Sequence, residues 1–385
     1  MGEQGLRMIG FPFLKNATVH PRGYASFVRP ETTAAYFQPI ESLRTGKIVG
    51  FEALARLTVG DRVVLPADFL PGLSQEDLLR LFCSMLGKAI GLLKTLVPPH
   101  SDVYVSVNVE TSLLLTDGFF EALQCTLDRH GYAGENLVLE LLEGDEIVDF
   151  GQTRESLDRI RKLGLAIALD DIGSAYSSLI NLRDLPIDII KLDQSFARGL
   201  SKRPEDLHFV LSFLSLARGL GKRLLVEGVE TVEIHDALRV LGVEQAQGYA
   251  IGRPMPQEAV SGWIDGRSTR ERDRTPRTML GAYAAHLLVV ETCRVMMNQP
   301  LQIAWKEESK NPHSCSIGRY FDRNGLHETE YGEAHKRFHQ VMARYDTDMP
   351  LWQKGADDFR NALHRAISGA STAAFFCDEV CESAA

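Results

Sequence analysis

An α/β fold is predicted for this 385-residue chain: a TIM-like (β/α)8 barrel with an antiparallel first strand, followed by a C-terminal all-α helical bundle. Eight short apolar or β-branched runs recur along the first two thirds of the chain, which is the number a closed barrel needs. Helical patterns lie between most of them, long enough for the crossovers that parallel strands require. Seven of the runs also carry a polar group at or near the C-terminal end: Glu52, Asn108, Glu140, the pair Asp170 and Asp171, Lys191, Glu227 and Gln247. The carboxyl ends of barrel strands converge on one mouth, so this spacing describes an acidic, oxygen-rich site.

In order, the runs are Tyr36 to Ile40, Ile48 to Leu54, Val103 to Val109, Leu137 to Leu142, Leu165 to Asp170, Ile187 to Leu192, Arg223 to Val229 and Glu244 to Tyr249. Thr153 to Leu163 and Asp206 to Ala217 read as crossover helices. The first connection differs, because Glu41 to Lys47 with its Thr-Gly turn permits a hairpin and not a crossover. The first strand is therefore expected to run antiparallel to its neighbour.

The length exceeds what one hydrophobic core usually carries, so two domains are the default. The boundaries read as an N-terminal arm at 1–30, the barrel at 31–262, a linker at 263–278, and a helical domain with a flexible tail at 279–385. Asp265 to Arg277 is dense in charged and small polar residues, which suits an exposed linker. The formal charge of −9 argues against a nucleic-acid polymer as partner, yet allows a phosphate substrate where bound cations reverse the local field. No run has the order of a signal peptide and none is apolar enough to insert in a membrane, so a soluble, cytoplasmic protein is expected. The six cysteines have no secreted disulfide rhythm, which favours free thiols or metal ligands.

The segments Phe51-Glu52-Ala53-Leu54-Ala55-Arg56, Glu140-Leu141-Leu142-Glu143, Asp170-Asp171-Ile172-Gly173-Ser174, Lys191-Leu192-Asp193, Glu227-Gly228-Val229-Glu230 and Gln247-Gly248-Tyr249 resemble the EAL phosphodiesterases in order and separation. A lone Glu-Ala-Leu carries no weight, but six ordered motifs over roughly Tyr36 to Pro256 are specific. The resemblance implies hydrolysis of cyclic di-GMP to linear pGpG with two Mg²⁺ or Mn²⁺ ions per site. It places Glu52, Asn108, Glu140 and Asp170 on one cation, and Asp170 with Asp171 on a second. Carboxylate and amide oxygens select such hard cations, and two metals can clamp the attacking and leaving oxygens of an in-line displacement. Lys191, Glu227, Glu52 and Gln247 are the catalytic candidates. A Lys beside two cations would have a lowered pKa and serve as base, or Glu227 would orient the water. Gln38, Arg56 and Asp193 resemble substrate-contacting positions, and Glu143 and Glu230 resemble anchors of the loop after Asp171. That loop departs from the usual Asp-Asp-Phe-Gly-Thr-Gly-Tyr-Ser-Ser at Ile172, Ser174 and Ala175, while the metal ligands are intact. The same loop implies a homodimer, with signalling proteins as candidate partners.

Each polar group alone is more often a loop contact or cap. Together they change the balance, because burying them at one mouth without cations costs several kcal/mol for each unpaired charge.

In the C-terminal region, Tyr283 to Met297 and Tyr331 to Tyr345 have helical apolar spacing, and His335 and His339 lie one turn apart on one face. With Cys315 and His286 they form a candidate tetrahedral zinc shell. Ala285-His286-Leu287, Cys315-Ser316-Ile317-Gly318-Arg319-Tyr320 and His335-Lys336-Arg337-Phe338-His339 resemble the chemoreceptor zinc-binding domain, with Tyr320 where Trp is commoner. The resemblance implies a zinc-dependent sensor acting on the barrel. Hydrogen-bonded histidines without metal are the plain alternative, and Cys377 with Cys381 is a rival thiolate pair. For the whole chain, the alternatives to an enzyme are a catalytically silent cyclic di-GMP receptor and a dimeric signalling scaffold.

Overall fold

A computed structural model of the chain describes residues 23–96, 102–142, 149–172, 182–267, 273–296, 311–342 and 349–382, the side chains of 294–296 and 370–382 excepted. Glu143, the segment from Gly173 to Asn181, most of the N-terminal arm, and the side chains of Cys377 and Cys381 lie outside this description.

The sheet contains β1 (Thr33–Ser42), β2 (Ile48–Val59), β3 (Arg62–Val64), β4 (Tyr104–Glu110), β5 (Leu137–Leu142), β6 (Ala166–Ile172), β7 (Ile189–Leu192), β8 (Arg223–Val226), β9 (Gln245–Gln247) and β10 (Met255–Pro256). Six parallel pairings run from β2 through β4, β5, β6, β7 and β8 to β9. β1 closes the barrel by pairing antiparallel with both β2 and β9. The eight expected runs are the eight barrel strands, and the short Glu41–Lys47 connection makes the first one antiparallel. Two short additions, β3 on β2 and β10 on β1, have no counterpart in the sequence reading.

The crossovers include α1 (Gln75–Thr95), α2 (Phe119–His130), α3 (Phe150–Lys162), α4 (Leu207–Gly219) and α5 (Val232–Leu241). α1 opens with a capping box, in which Ser74 accepts from the Asp77 N–H and Asp77 accepts from the Ser74 N–H. Its Leu81, Met85, Ala89 and Leu92 recur at three- and four-residue steps and are buried. Asp149 caps α3 by accepting from the Gln152 N–H, and Thr231 caps α5 by accepting from the Ile234 N–H.

Side-chain alternation along the strands builds the barrel interior in layers. Ile40, Tyr104, Val138, Ala168, Ile189 and Leu225 form one closed apolar cluster. Tyr104 fits there because Gly50 on the adjacent strand has no side chain: a Cβ at Gly50 would lie 2.6 Å from the ring. The Tyr104 hydroxyl donates to Gln245 at 2.9 Å. Two residues beyond this floor stand Glu140, Asp170, Lys191 and Glu227, and four beyond Tyr104 stands Asn108, so a period of two delivers all five to the same interior at the mouth.

After α6 (Gln257–Asp265) the chain reaches α7 (Met279–Met296), α8 (Ser316–Asn324), α9 (Glu330–Met342) and α10 (Met349–Glu382). The segment read as an exposed linker is instead fastened at its end. Thr275 is buried, and Asp236 on α5 accepts from the backbone N–H of Arg277 at 2.8 Å and of Thr278 at 2.9 Å. The buried Arg239 pairs with Asp236 and donates to the carbonyls of Asp273 and Thr275. A barrel carboxylate thus holds the residues that lead into the first helix of the C-terminal region, and Thr278 caps that helix by accepting from the Gly281 N–H at 3.0 Å. Composition suggested a linker because it cannot reveal that these polar groups have buried partners.

Candidate active site and a second ligand cluster

At the mouth, Lys191 is the centre of the charge distribution. Its Nζ lies 2.7 Å from Glu227, 2.8 Å from Glu140, 3.0 Å from Asp170 and 3.7 Å from Glu52, and it is 1% exposed. Burial works against the charged ammonium, but Glu140, Glu227, Glu52 and Asp170 outweigh it and hold the lysine pKa well above its ordinary value. The carboxylates by themselves therefore favour the ammonium, and the depression expected beside cations rests on the ions. Four carboxylates around one ammonium leave an excess of negative charge that a buried site relieves by binding further cations or by protonating carboxylates.

Two amides complete the arrangement. Asn108 donates to Glu52 Oε1 at 2.9 Å and Gln247 donates to Glu52 Oε2 at 2.7 Å. With their nitrogens turned to Glu52, the oxygens Asn108 Oδ1 and Gln247 Oε1 are buried without a hydrogen-bond partner. Two orphaned carbonyl oxygens among carboxylates are the donor set of a hard divalent cation such as Mg²⁺ or Mn²⁺. Burial raises the Glu52 pKa, but Lys191, Asn108 and Gln247 reverse this and leave it lowered.

Adjacent strand residues normally face opposite sides, so Asp170 and Asp171 share the mouth only because β6 breaks its pattern. The register shifts between Leu169 and Ile172, and Asp171 takes a left-handed conformation at φ 54°. Its N–H donates to Asp170 Oδ1 at 3.0 Å. Asp170, Asp171 and Glu227 each bring an oxygen within 4.8 Å of the others. Burial, with Asp170 and Asp193 beside it, raises the Asp171 pKa to about 6. Burial raises Glu227 to about 8, against the pull of Lys191. Both groups are thus reluctant anions where a cation would be most strongly held.

Gln38, Glu52, Gln194, Arg198, Glu227 and Tyr249 line a cleft at the mouth. Gln38 donates to the Gly252 carbonyl at 3.5 Å. Arg56 donates to its neighbour's carbonyl, Ala55, at 2.7 Å and lies over the Tyr36 ring at 5.5 Å. Asp193, read as a substrate contact, accepts from the Ser195 N–H at 2.9 Å and stands against Asp171. Glu230 pairs with Arg198 at 2.9 Å, a contact that the sequence reading missed, and the segment it was expected to anchor lies outside the described residues.

The second cluster lies in the C-terminal region. Cys315 Sγ is 3.3 Å from His335 Nε2, which is 3.1 Å from His339 Nε2. Adjacent ligands in a tetrahedral zinc shell are about 3.4–3.6 Å apart from the Zn–N and Zn–S bond lengths, so the three donors fit that metal. Cys315 sits there as the N-cap of α8, its sulfur accepting from the Gly318 N–H. His335 and His339 face it from successive turns of α9. The cluster opens on a cavity of about 380 Å³ also lined by Val289, Arg319, Phe338 and Met342. His286, the fourth expected ligand, is not in this trio. Its Nε2 lies 2.9 Å from the Ala356 carbonyl, its ring is held edge-on by Phe338 and Phe359, and its buried Nδ1 has no partner. Burial lowers the His286 pKa to about 4 and, with His339 beside it, pushes His335 far below the ordinary range. Burial also raises the Cys315 thiol.

The family model described as EAL domain matches residues 26–254, and the chain belongs to the EAL domain family. It is 32% identical over 226 residues to the cyclic di-GMP phosphodiesterase RocR of Pseudomonas aeruginosa, covering 58% of each chain. It also resembles the EAL domain protein of Listeria monocytogenes, with 27% identity, a TM-score of 0.57, and coverage of 65% of this chain and 99% of that one. A structure described as the PaMucR phosphodiesterase in complex with c-di-GMP has 29% identity and a TM-score of 0.56, covering 60% of this chain and 94% of that one. The chain spans 28 to 58% of the lengths of the curated relatives it matches.

Proposed function

We propose that the chain is a cyclic di-GMP-specific phosphodiesterase that opens the cyclic dinucleotide to linear pGpG by attack of water. The observation that carries this reading is the pair of orphaned buried oxygens, Asn108 Oδ1 and Gln247 Oε1, set among four carboxylates at the barrel mouth. Glu52, Asn108, Glu140 and Asp170 would hold one divalent cation, and Asp170 with Asp171 a second. When bound, such ions supply Lewis-acid stabilisation of the phosphoryl oxygens and acidify water. The chain's own residues do the rest. Asn108 and Gln247 fix both oxygens of Glu52. Lys191 keeps Glu140, Asp170 and Glu227 in one fixed constellation, and its ammonium is a donor to a developing oxyanion. Glu227, with its raised pKa, is placed to hold or move a proton of the attacking water. Arg56 and Gln38, on the two strands of the first hairpin, are the groups that would orient the dinucleotide.

Cys315, His335 and His339 would hold zinc, with His286 as a fourth ligand once it turns from Ala356. The α7–α5 contact, fastened by Asp236, gives that region a mechanical route to the Glu227–Thr231 segment that begins α5. A homodimer is part of this reading, by the family resemblance of the segment after Asp171.

The test is incubation of the purified chain with cyclic di-GMP in Mg²⁺ or Mn²⁺, with and without a zinc chelator. Metal-dependent pGpG is the expected product, at a rate that the chelator changes. Tight binding without product would move the protein to the receptor class. Cys315→Ala should lower zinc content while leaving the barrel's chemistry in place, and unchanged zinc stoichiometry would rule out the shell.

A further inference from the structure

His313, Asp322 and His327 share no side chain with the Cys315 cluster, yet they form a second compact donor set in the C-terminal region. His313 Nδ1 lies 2.8 Å and His327 Nε2 lies 2.7 Å from the same atom, Asp322 Oδ1. The two imidazole rings are 4.3 Å apart, and one donor atom from each of the three residues lies within 4.8 Å of the others.

Their accessibility differs in a useful way. The His313 and Asp322 side chains are 53% and 44% exposed, whereas His327 is 14% exposed and lies edge-on to Phe321. The set is therefore anchored on one side and open to solvent on the other. Two neutral imidazoles bonded to one carboxylate oxygen must each present a proton to it. A divalent cation among the same atoms takes the place of both protons, each of which moves to the other nitrogen of its ring, and leaves open positions for water, as in sites of two histidines and one carboxylate.

We propose that His313, Asp322 and His327 bind a divalent transition-metal ion of the zinc, nickel or cobalt type. The placement says what such an ion does. His313 precedes α8, Asp322 lies on its last turn, and His327 follows its left-handed cap at Gly325. A bound ion ties both ends of a nine-residue helix that is too short to be stable alone. The segment before α8 is already packed so closely that a Cβ at Gly318 would meet the Pro312 carbonyl at 1.8 Å. Fixing His313 therefore also fixes Cys315, two residues on.

Co²⁺ titrated into the full, reduced chain in saturating Mg²⁺ tests this, because only a thiolate ligand gives a sulfur-to-cobalt charge-transfer band. A cobalt ion that adds no such band is expected, and Asp322→Asn should remove it or weaken its binding at least about tenfold. The band arising from Cys315 should be retained in that variant. His313→Ala removes an exposed side chain from a loop and serves as the second variant, with the same loss expected. The proposal is overturned if both variants keep the wild-type cobalt stoichiometry and affinity, or if the thiolate band accounts for all cobalt bound in saturating Mg²⁺.

Discussion

The barrel mouth gathers four carboxylates around one ammonium, whereas the Cys315 cluster sets a thiol whose pKa burial raises beside the His335 imidazole, which burial keeps neutral, at the edge of a largely apolar cavity. Both are buried, but burial acts on them with opposite results. At the mouth, charges are too close to leave, so each group's ionisation is set by its neighbours. In the helical region, burial has already removed charge, and a metal there must displace the thiol proton. Hard oxygen donors with surplus negative charge suit Mg²⁺ or Mn²⁺, while sulfur and imidazole suit zinc.

The largest effect that would sharpen this contrast is loss of catalysis in Glu52→Ala. That variant removes the carboxylate that both amides hold, and hydrolysis should fall by more than about 10²-fold, since even supporting residues of metal sites cost 10–100-fold. Circular dichroism should register an intact fold, and zinc content should not change. Retained hydrolysis would remove the barrel site from the mechanism.

Lys191→Met comes next. It leaves the carboxylates without their buried cation, which should cost about 3–5 kcal/mol of unfolding free energy in chelator. Mg²⁺ should restore part of it, measured by urea unfolding with and without the ion. Equal destabilisation in both conditions would mean that cations do not compensate this charge.

In the helical region the corresponding experiment is acidification of chelated protein. The His286 pKa is held near 4 in the fold by burial, against an ordinary 6.5. The unfolded chain binds the extra proton between those values, so this contribution is complete above pH 6.5 and lost as pH falls toward 4, by up to about 3 kcal/mol. His286→Leu should flatten that part of the stability profile, and an unchanged profile would contradict the assignment. The smallest effect is expected on the surface, where Arg365→Ala breaks a pair with Glu330 that is more than half exposed at both ends. Its melting temperature should barely move, because such pairs contribute under about 1 kcal/mol.

Much of the barrel was legible because its strands are buried on both faces and read as continuous apolar runs. Their position at the C-terminal ends of those runs then put Glu140, Lys191 and Glu227 at the mouth. Asp171 was legible as a residue but not as a conformation, since a left-handed aspartate at a register shift follows from the closed barrel and not from local sequence. That Asp193 stands against Asp171 was not legible, because the two are distant in sequence. Asp273–Thr278 looked like a linker because its polar residues give no hint of Asp236 and Arg239 on α5. The His335–His339 pair was visible from helical spacing, whereas the bond of His286 to Ala356 depends on how α10 packs on α7.

The most direct measurement is an electron paramagnetic resonance titration of the chain with Mn²⁺ in the presence of pGpG. Two spin-coupled Mn²⁺ ions per chain are expected, lost in Glu52→Ala and retained in Cys315→Ala. A single isolated Mn²⁺, or a coupled pair that survives Glu52→Ala, would contradict the account of the barrel mouth.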